Sequence, residues 1–277
     1  MSDARTRLIR NGVACVSLEG LEPADAYRAA SVRSVDAPVA PLRNAPEAAA
    51  EQVSQLLYGE AFRILETAGG CAYGQSLRDG YVGYLDLERL APVARRAGLR
   101  VCAIRTYAFT APSIKSLAYG LYSLNSLIEA EDRQGRFVKA RGGGWFIADH
   151  LAPVGQVSDD PAAVAQRFLG APYLWGGVES LGLDCSGLVQ QSLRACGLAC
   201  PRDSDQQQHV GQRVAARSAL RRSDLVFWRG HVALMLDGER MIHANAHHMA
   251  VAIESLDQAC LRIAANGGGE ITAMRRL

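Results

Sequence analysis

Apolar and polar positions alternate over short runs between Val32 and Leu90. The segment Leu56-Leu57-Tyr58-Gly59-Glu60 turns into Phe62-Arg63-Ile64-Leu65-Glu66, Gly69-Gly70 supplies a turn, and Asp79-Gly80 introduces Tyr81-Val82-Gly83-Tyr84-Leu85. Short strands separated by glycine-rich turns predict a small β-barrel over residues 32–92, behind a weakly patterned segment over 1–31. A second stretch, Leu99 to Leu151, has the same texture. Val101 to Ile104, Phe137 to Ala140 and Trp145 to Ile147 read as strands, with Arg141-Gly142-Gly143-Gly144 as a turn. It predicts a second barrel over 98–153.

The period then changes. Ser158-Asp159-Asp160-Pro161 is a helix start, with a capping side chain and a proline in the first turn, and Gly170 ends the helix. Pro153 to Asp160 reads as a linker, and residues 158–277 as the last domain. Within it, Asp184 caps a run in which Leu188, Val189 and Leu193 recur at helical spacing until Gly197. Cys185 therefore falls in the first turn of a helix. A free thiol ionises near pH 8.5, about the value for the isolated side chain, and unpaired amides with the helix dipole predict a lower value here. The amide at that helix end is also placed to hold an oxyanion.

Asp224 to Ala246 reads as three strands, with Asp237-Gly238 between the last two. A two-residue turn would put His231 and His243 on opposite sheet faces. A three-residue loop, Leu236-Asp237-Gly238 with Gly238 left-handed, pairs Met235 with Glu239 and His231 directly with His243. The three-residue version is expected, because it lets one imidazole take the cysteine's proton while the other orients the ring. His243, His247 and His248 also admit a metal reading, since 243 and 247 are four apart. That spacing serves a metal on a helix, whereas Met241 to Ala244 reads as strand running into loop, and no acidic or thiol ligand lies nearby at zinc spacing. No metal and no cofactor are expected.

Composition changes this picture little. The 277 residues are 49% hydrophobic and 21% charged, as in ordinary globular chains, and 30 Lys+Arg against 28 Asp+Glu leave no basic block for nucleic acid. Seven cysteines, odd in number and unpaired in spacing, fit a reducing compartment. Val13 to Leu18 is too short for a secretory or membrane segment, so a cytoplasmic protein without a membrane partner is expected.

Four segments in order, Tyr173-Leu174-Trp175-Gly176-Gly177, Asp184-Cys185-Ser186-Gly187, Gly230-His231-Val232 and Ile242-His243-Ala244, resemble the NlpC family of papain-like cell-wall cysteine peptidases. Leu57-Tyr58-Gly59-Glu60 and Asp79 to Tyr84 resemble a bacterial SH3-like barrel, with Cys71 where such barrels often carry tryptophan; the second barrel is a fainter match. The resemblance implies an α+β chain in which two small SH3-like β-barrels precede a papain-like domain. It implies Cys185 as nucleophile, His231 as base, His243 as the orienting third member, and the Tyr173 hydroxyl in the oxyanion hole. Trp175 is either a core aromatic or part of the site.

Two such barrels before this domain resemble enzymes that cut murein peptides between γ-D-glutamate and a diamino acid, meso-diaminopimelate or lysine. That subgroup requires a free N-terminal L-alanine, and an ammonium taken from water needs carboxylate or phenol partners. Asp184, Glu60 and Tyr81 are the candidates. Pro201-Arg202-Asp203-Ser204 resembles a loop that meets the D-glutamyl α-carboxylate, with Ser204 and Ser186 as donors; Arg202 equally suits a surface ion pair and Asp203 a helix cap. The implied activity is a γ-D-glutamyl-L-diamino acid endopeptidase in wall-peptide recycling. Another thiol acyl-transfer enzyme, an amidase or acyltransferase, is the alternative, as is a non-catalytic binder of wall peptides.

Overall fold

The computed structural model describes residues 3–277. The chain divides into two compact units, one ending at Val154 and the other running from Gly155 to Leu277. It is sheet-rich, and its four α-helices among the described residues all lie in the second unit.

In the first unit, the weakly patterned start folds into a three-stranded sheet of Ile9–Arg10, Val13–Cys15 and Ala26–Arg28. A six-stranded sheet follows in the order Ser31–Ser34, Ala61–Ala68, Cys71–Ser76, Val82–Asp86, Val39–Arg43, Gln52–Leu57. The inward positions of these alternating strands, Leu42, Leu56, Phe62, Ile64 and Leu85, form its core together with Val35. Gly69 and Gly70 make the turn with positive φ. Among the described residues no ladder joins the first strand of this order to the last, so closure into a barrel is not detected.

The next stretch forms two ladders instead of one: Leu127–Ile128, Leu99–Val101, Leu151–Pro153, and a five-stranded set from Ala118–Ser123 to Ala130–Gln134. The expected Val101–Ile104 strand ends at Val101, because the Cys102 amide turns to the His150 carbonyl. Tyr58 ties the two sets together. Its ring meets Tyr122 edge-on at 5.1 Å between centroids, inside the core of Val101, Ile128 and Phe146. Gly59 must be glycine for this approach, since its φ is +79° and a Cβ would strike the Leu127 carbonyl.

The second unit pairs one six-stranded antiparallel sheet with helices. Its order is Gln212–Arg213, Ala273–Arg276, Leu225–Trp228, His231–Met235, Arg240–Asn245, Ala250–Ser255. Helix α1 spans Pro161–Gln166, capped by Asp160, which accepts the Ala162 and Ala163 amides. Helix α2 spans Cys185–Ala195 and is buried along most of its length against the His231 and Arg240 strands. Helix α3 is the single turn Ser204–Gln207, and α4 spans Leu256–Ala265. Trp228, Met235, Met241, Leu256 and Ala259 form an apolar cluster of this unit. No described helix is long and apolar enough to cross a membrane.

Candidate active site

The seat of Cys185 is built by Asp184. Extended backbone at Asp184 ends the Gly182–Leu183 strand, and its carboxylate accepts the Gly187 amide at 2.7 Å, which starts α2 at Cys185. The other carboxylate oxygen accepts the Gly176 amide at 2.9 Å, and the Asp184 amide donates to the Gly177 carbonyl at 3.2 Å. The Tyr173–Gly177 segment is thereby tied to the helix start. Gly187 passes so close to the Gly177 carbonyl that a Cβ there would run into it.

Arg202 completes this seat from below. Its guanidinium forks onto both Asp184 oxygens at 3.0 and 2.6 Å and donates to Ser186 Oγ at 2.8 Å, with only 1% of its surface exposed. Gln207 Nε2 donates to the Ser186 and Pro201 carbonyls, fixing the Pro201–Ser204 loop against α2.

These contacts show what surrounds three residues singled out from the sequence. Arg202 is not a surface ion-pair partner, because it is buried and its fork is set on Asp184. Asp184, expected as an ammonium receptor, accepts from three groups at Oδ1 and two at Oδ2 within its own fold. Ser186 is not a free donor, since its one hydroxyl proton points to Asp184 Oδ1 at 3.2 Å. Asp203 does cap α3, with Gln206 Oε1 reaching back to its amide at 3.4 Å, and Ser204 opens that helix half-buried.

The thiol itself differs from expectation. Burial pushes the Cys185 thiol up to about 12, with the Asp184 carboxylate adding to the rise. The Val232 and Ser186 amides and the Arg202 cation pull the other way without overcoming it. Desolvation of the thiolate outweighs the helix end. The Val232 interaction sets the sulfur against the His231 strand.

His231 and His243 share a sheet face, as expected, but the register differs from the three-residue loop. Met235 pairs with Met241 and Leu234 with Ile242, so the loop holds five residues, Leu236 to Arg240, and His231 lies diagonal to His243. Gly238 is not left-handed. The Asp237 carboxylate accepts the Glu239 and Arg240 amides at 2.9 and 2.7 Å, a side-chain turn that makes the longer loop stable. The diagonal still brings the rings together, with His231 Nε2 2.8 Å from His243 Nδ1.

One member of this chain escaped the sequence reading. Glu254 sits two residues beyond Ala252, the partner of His243, and so on the same face. Its Oε1 lies 2.8 Å from His243 Nε2, an approach short of good hydrogen-bond alignment, and Arg262 pairs with the same oxygen. The only signal for it was the alternation of Val251-Ala252-Ile253-Glu254, which does not specify a partner strand. Burial alone would raise the Glu254 carboxyl, but His243 and Arg262 hold it down at about 2. Burial, with the charge of His243, drives His231 down to about 3, and burial lowers His243 as well. Both imidazoles are neutral near pH 7.

The Tyr173 phenol is half-buried and pushed up to about 12 by burial and by the neighbouring Cys185 and Asp184, so it is a protonated donor near the sulfur. Trp175 is 60% exposed and no core residue. In the first unit, Glu60 is buried, paired with Arg78 at 2.9 Å and accepting the Leu57 amide at 3.0 Å. Expected as an ammonium receptor, it is held in this structure by Arg78 and the Leu57 amide. Tyr81 likewise puts its ring in the core with Leu42 and Phe62.

A thiol at a helix mouth, a neutral imidazole pair and a phenol are the parts of a thiol acyl-transfer site. Residues 170–264 match the family model for the NlpC/P60 family, and residues 42–90 that for the bacterial dipeptidyl-peptidase Sh3 domain. The second unit carries an NlpC/P60 domain. NlpC/P60 is a family of papain-like cysteine peptidases that hydrolyse cell-wall peptidoglycan.

The chain is similar to a γ-D-glutamyl-L-lysine dipeptidyl-peptidase of Bacillus subtilis, 25% identical over 193 residues that cover 65% of each protein. A protein of the same name from Bacillus cereus is 33% identical over 132 residues, 45% of this chain and 39% of that one. The chain thus spans less than two thirds of either relative. A crystal structure of an NlpC/P60 family protein from Bacillus cereus shares the fold, at 19% identity and a TM-score of 0.75, over 89% of this chain and 99% of that one. The metal reading set aside from sequence returns in altered form: His243, His248 and Glu254 bring ligand atoms within 4.8 Å of one another, without His247.

Proposed function

We propose that the chain is a cysteine endopeptidase that hydrolyses the γ-D-glutamyl to diamino acid bond of murein peptides carrying a free N-terminal L-alanine, in cytoplasmic recycling of wall peptides. The observation that carries the chemistry is the 2.8 Å contact between His231 Nε2 and His243 Nδ1, on the strand against which Cys185 is packed. The names of the two Bacillus relatives support the substrate class. Two SH3-like barrels remain the reading for the first unit.

In this mechanism Glu254 accepts from His243 Nε2–H, and His243 Nδ1 accepts from His231 Nε2–H. That leaves the lone pair of His231 Nδ1 for the thiol. Resting thiol and imidazole are both neutral, so the proton crosses to His231 as sulfur bonds to the γ-glutamyl carbonyl carbon. The Cys185 amide and the Tyr173 hydroxyl donate to the oxyanion. The carbonyl reforms, the C–N bond breaks, and His231 returns the proton to the leaving amine. Water then attacks the thioester with His231 as base, releasing L-Ala-γ-D-Glu and the thiol. Asp203 and Ser204, at the mouth of α3, are the polar groups proposed to meet the D-glutamyl residue.

The test incubates the protein with L-Ala-γ-D-Glu-diaminopimelate and its N-acetylated form and reads products by mass spectrometry. Release of L-Ala-γ-D-Glu from the free-amine peptide alone is expected, and none from Cys185→Ala. Equal cleavage of both peptides overturns the amine requirement. Cleavage that survives Cys185→Ala, or no cleavage at all, overturns the peptidase.

A further inference from the structure

Behind the two imidazoles lies a second constellation that hydrolysis does not use in full. His243, His248 and Glu254 each bring one ligand atom within 4.8 Å of the others. Two imidazole nitrogens and one carboxylate oxygen are a donor set that zinc takes at distances of about 2.0–2.2 Å, with a water as the usual fourth ligand. The His243 side chain is fully buried, and its Nε2 has no well-aligned hydrogen-bond partner. His248 is exposed, and its Nδ1 lies 3.0 Å from Asn245 Oδ1. With the proton on Nδ1, Asn245 orients the ring and leaves a lone pair on Nε2, as second partners of metal-binding histidines do.

Two features oppose a cation. Arg262 already pairs with Glu254 Oε1, but a carboxylate has lone pairs enough for both an arginine and a metal. The 2.8 Å between His243 Nε2 and Glu254 Oε1 must also open by about half an ångström, since ligands about 2.05 Å from a tetrahedral ion stand about 3.3 Å apart. Glu254 has the strand edge on which to move. Ala250–Ser255 is the last strand of its sheet.

We propose that His243, His248 and Glu254 form an inhibitory site for a divalent transition metal, zinc foremost, which disables the base by reversing the hydrogen bond between the two imidazoles. A metal on His243 Nε2 takes the lone pair that must otherwise be protonated, so the His243 proton moves to Nδ1. Nδ1–H then donates to His231 Nε2, and the His231 proton moves to Nδ1. The nitrogen left for the thiol is now a donor and cannot accept the thiol's proton. No bond to substrate is made or broken.

The inhibitory half rests on the reading of His231 as base; the binding half does not, and the experiment separates them. Full-length protein and its Cys185→Ala variant are titrated with cobalt(II) alone and then with zinc. A four-coordinate cobalt absorption band is expected at about one equivalent, retained in Cys185→Ala, displaced by zinc, and weakened at least about tenfold in His248→Ala and Glu254→Gln. In cleavage assays, micromolar zinc should inhibit reversibly, with a chelator restoring the rate. The half-inhibiting concentration should rise about tenfold or more in His248→Ala relative to that variant's own metal-free rate. Absence of the band, or a band lost in Cys185→Ala because the thiol was the ligand, overturns the site. Binding with this variant pattern in a chain that cleaves no murein peptide upholds the site and overturns the peptidase reading; cleavage untouched by bound zinc upholds the peptidase and overturns the inhibition.

Discussion

Replacing Arg202 by leucine tests the seat of the nucleophile. The guanidinium is 1% exposed and its partner carboxylate 9%, so the change strands Asp184 as a buried anion. Breaking a buried ion pair from one side typically costs about 3–5 kcal/mol. Asp184 keeps the Gly176 and Gly187 amides and the Ser186 hydroxyl, which places the cost at the lower end, about 3 kcal/mol. With a urea dependence of about 2 kcal/mol per molar, the midpoint of the second unit should fall by about 1.5 M. Tryptophan emission in a Trp145→Phe background reports on that unit alone, because the remaining tryptophans, Trp175 and Trp228, both lie in it. Arg202→Lys keeps the charge but loses the fork and should fall between. The double variant Asp184→Asn with Arg202→Leu removes the stranded charge and should recover at least about 1 kcal/mol. A midpoint change below about 0.5 M in Arg202→Leu, or a double variant less stable than the single, would refute this account of the seat.

Tyr173→Phe should lower kcat by about 10–1000-fold with KM little changed, since an oxyanion donor acts in the transition state; an unchanged kcat excludes the phenol from that role. Gly187→Ala should destabilise the second unit by about 1–3 kcal/mol in urea melts, because the added methyl meets the Gly177 carbonyl, and a neutral outcome would mean that α2 can shift along its axis. The Asp160 carboxyl is raised by burial, but Arg222 and the Ala163 and Ala162 amides outweigh this and hold it below its ordinary value. Its contribution is therefore present above about pH 4, the unfolded value, and is lost as pH falls through the folded one. Asp160→Asn should flatten the loss of stability between neutral pH and pH 3, about the lowest point worth sampling; an unaltered slope would remove this ion pair from the acid response.

How much of the fold and site was legible in the sequence depends on the range of each interaction. Asp184, Cys185 and the helix they begin were readable because capping is local: the residues that satisfy the first amides stand within three positions of one another. The shared face of His231 and His243 was readable because a strand's side chains alternate with period two, so the interval of twelve residues allowed only certain loop lengths. The loop itself was not, since a five-residue turn has the same parity as a three-residue one and the choice lay in the Asp237 side chain. Arg202 reads as a surface charge in any linear pattern, and only packing against α2 reveals it beneath Asp184. Glu254 depended on which strand lies beside Arg240–Asn245. The thiol's resistance to ionisation was hidden for the same reason, because desolvation is set by residues distant in sequence.

The absence of any side chain between Gly187 and the Gly177 carbonyl has a consequence for redesign. Backbone locked against backbone offers selection no side chain to vary there, so the position of the sulfur is held fixed while specificity drifts elsewhere. Altered preference should accumulate among the uncovered apolar residues Leu174, Trp175, Leu181 and Met249. A library aimed at new peptides would do best to diversify those four and leave the glycine clasp untouched.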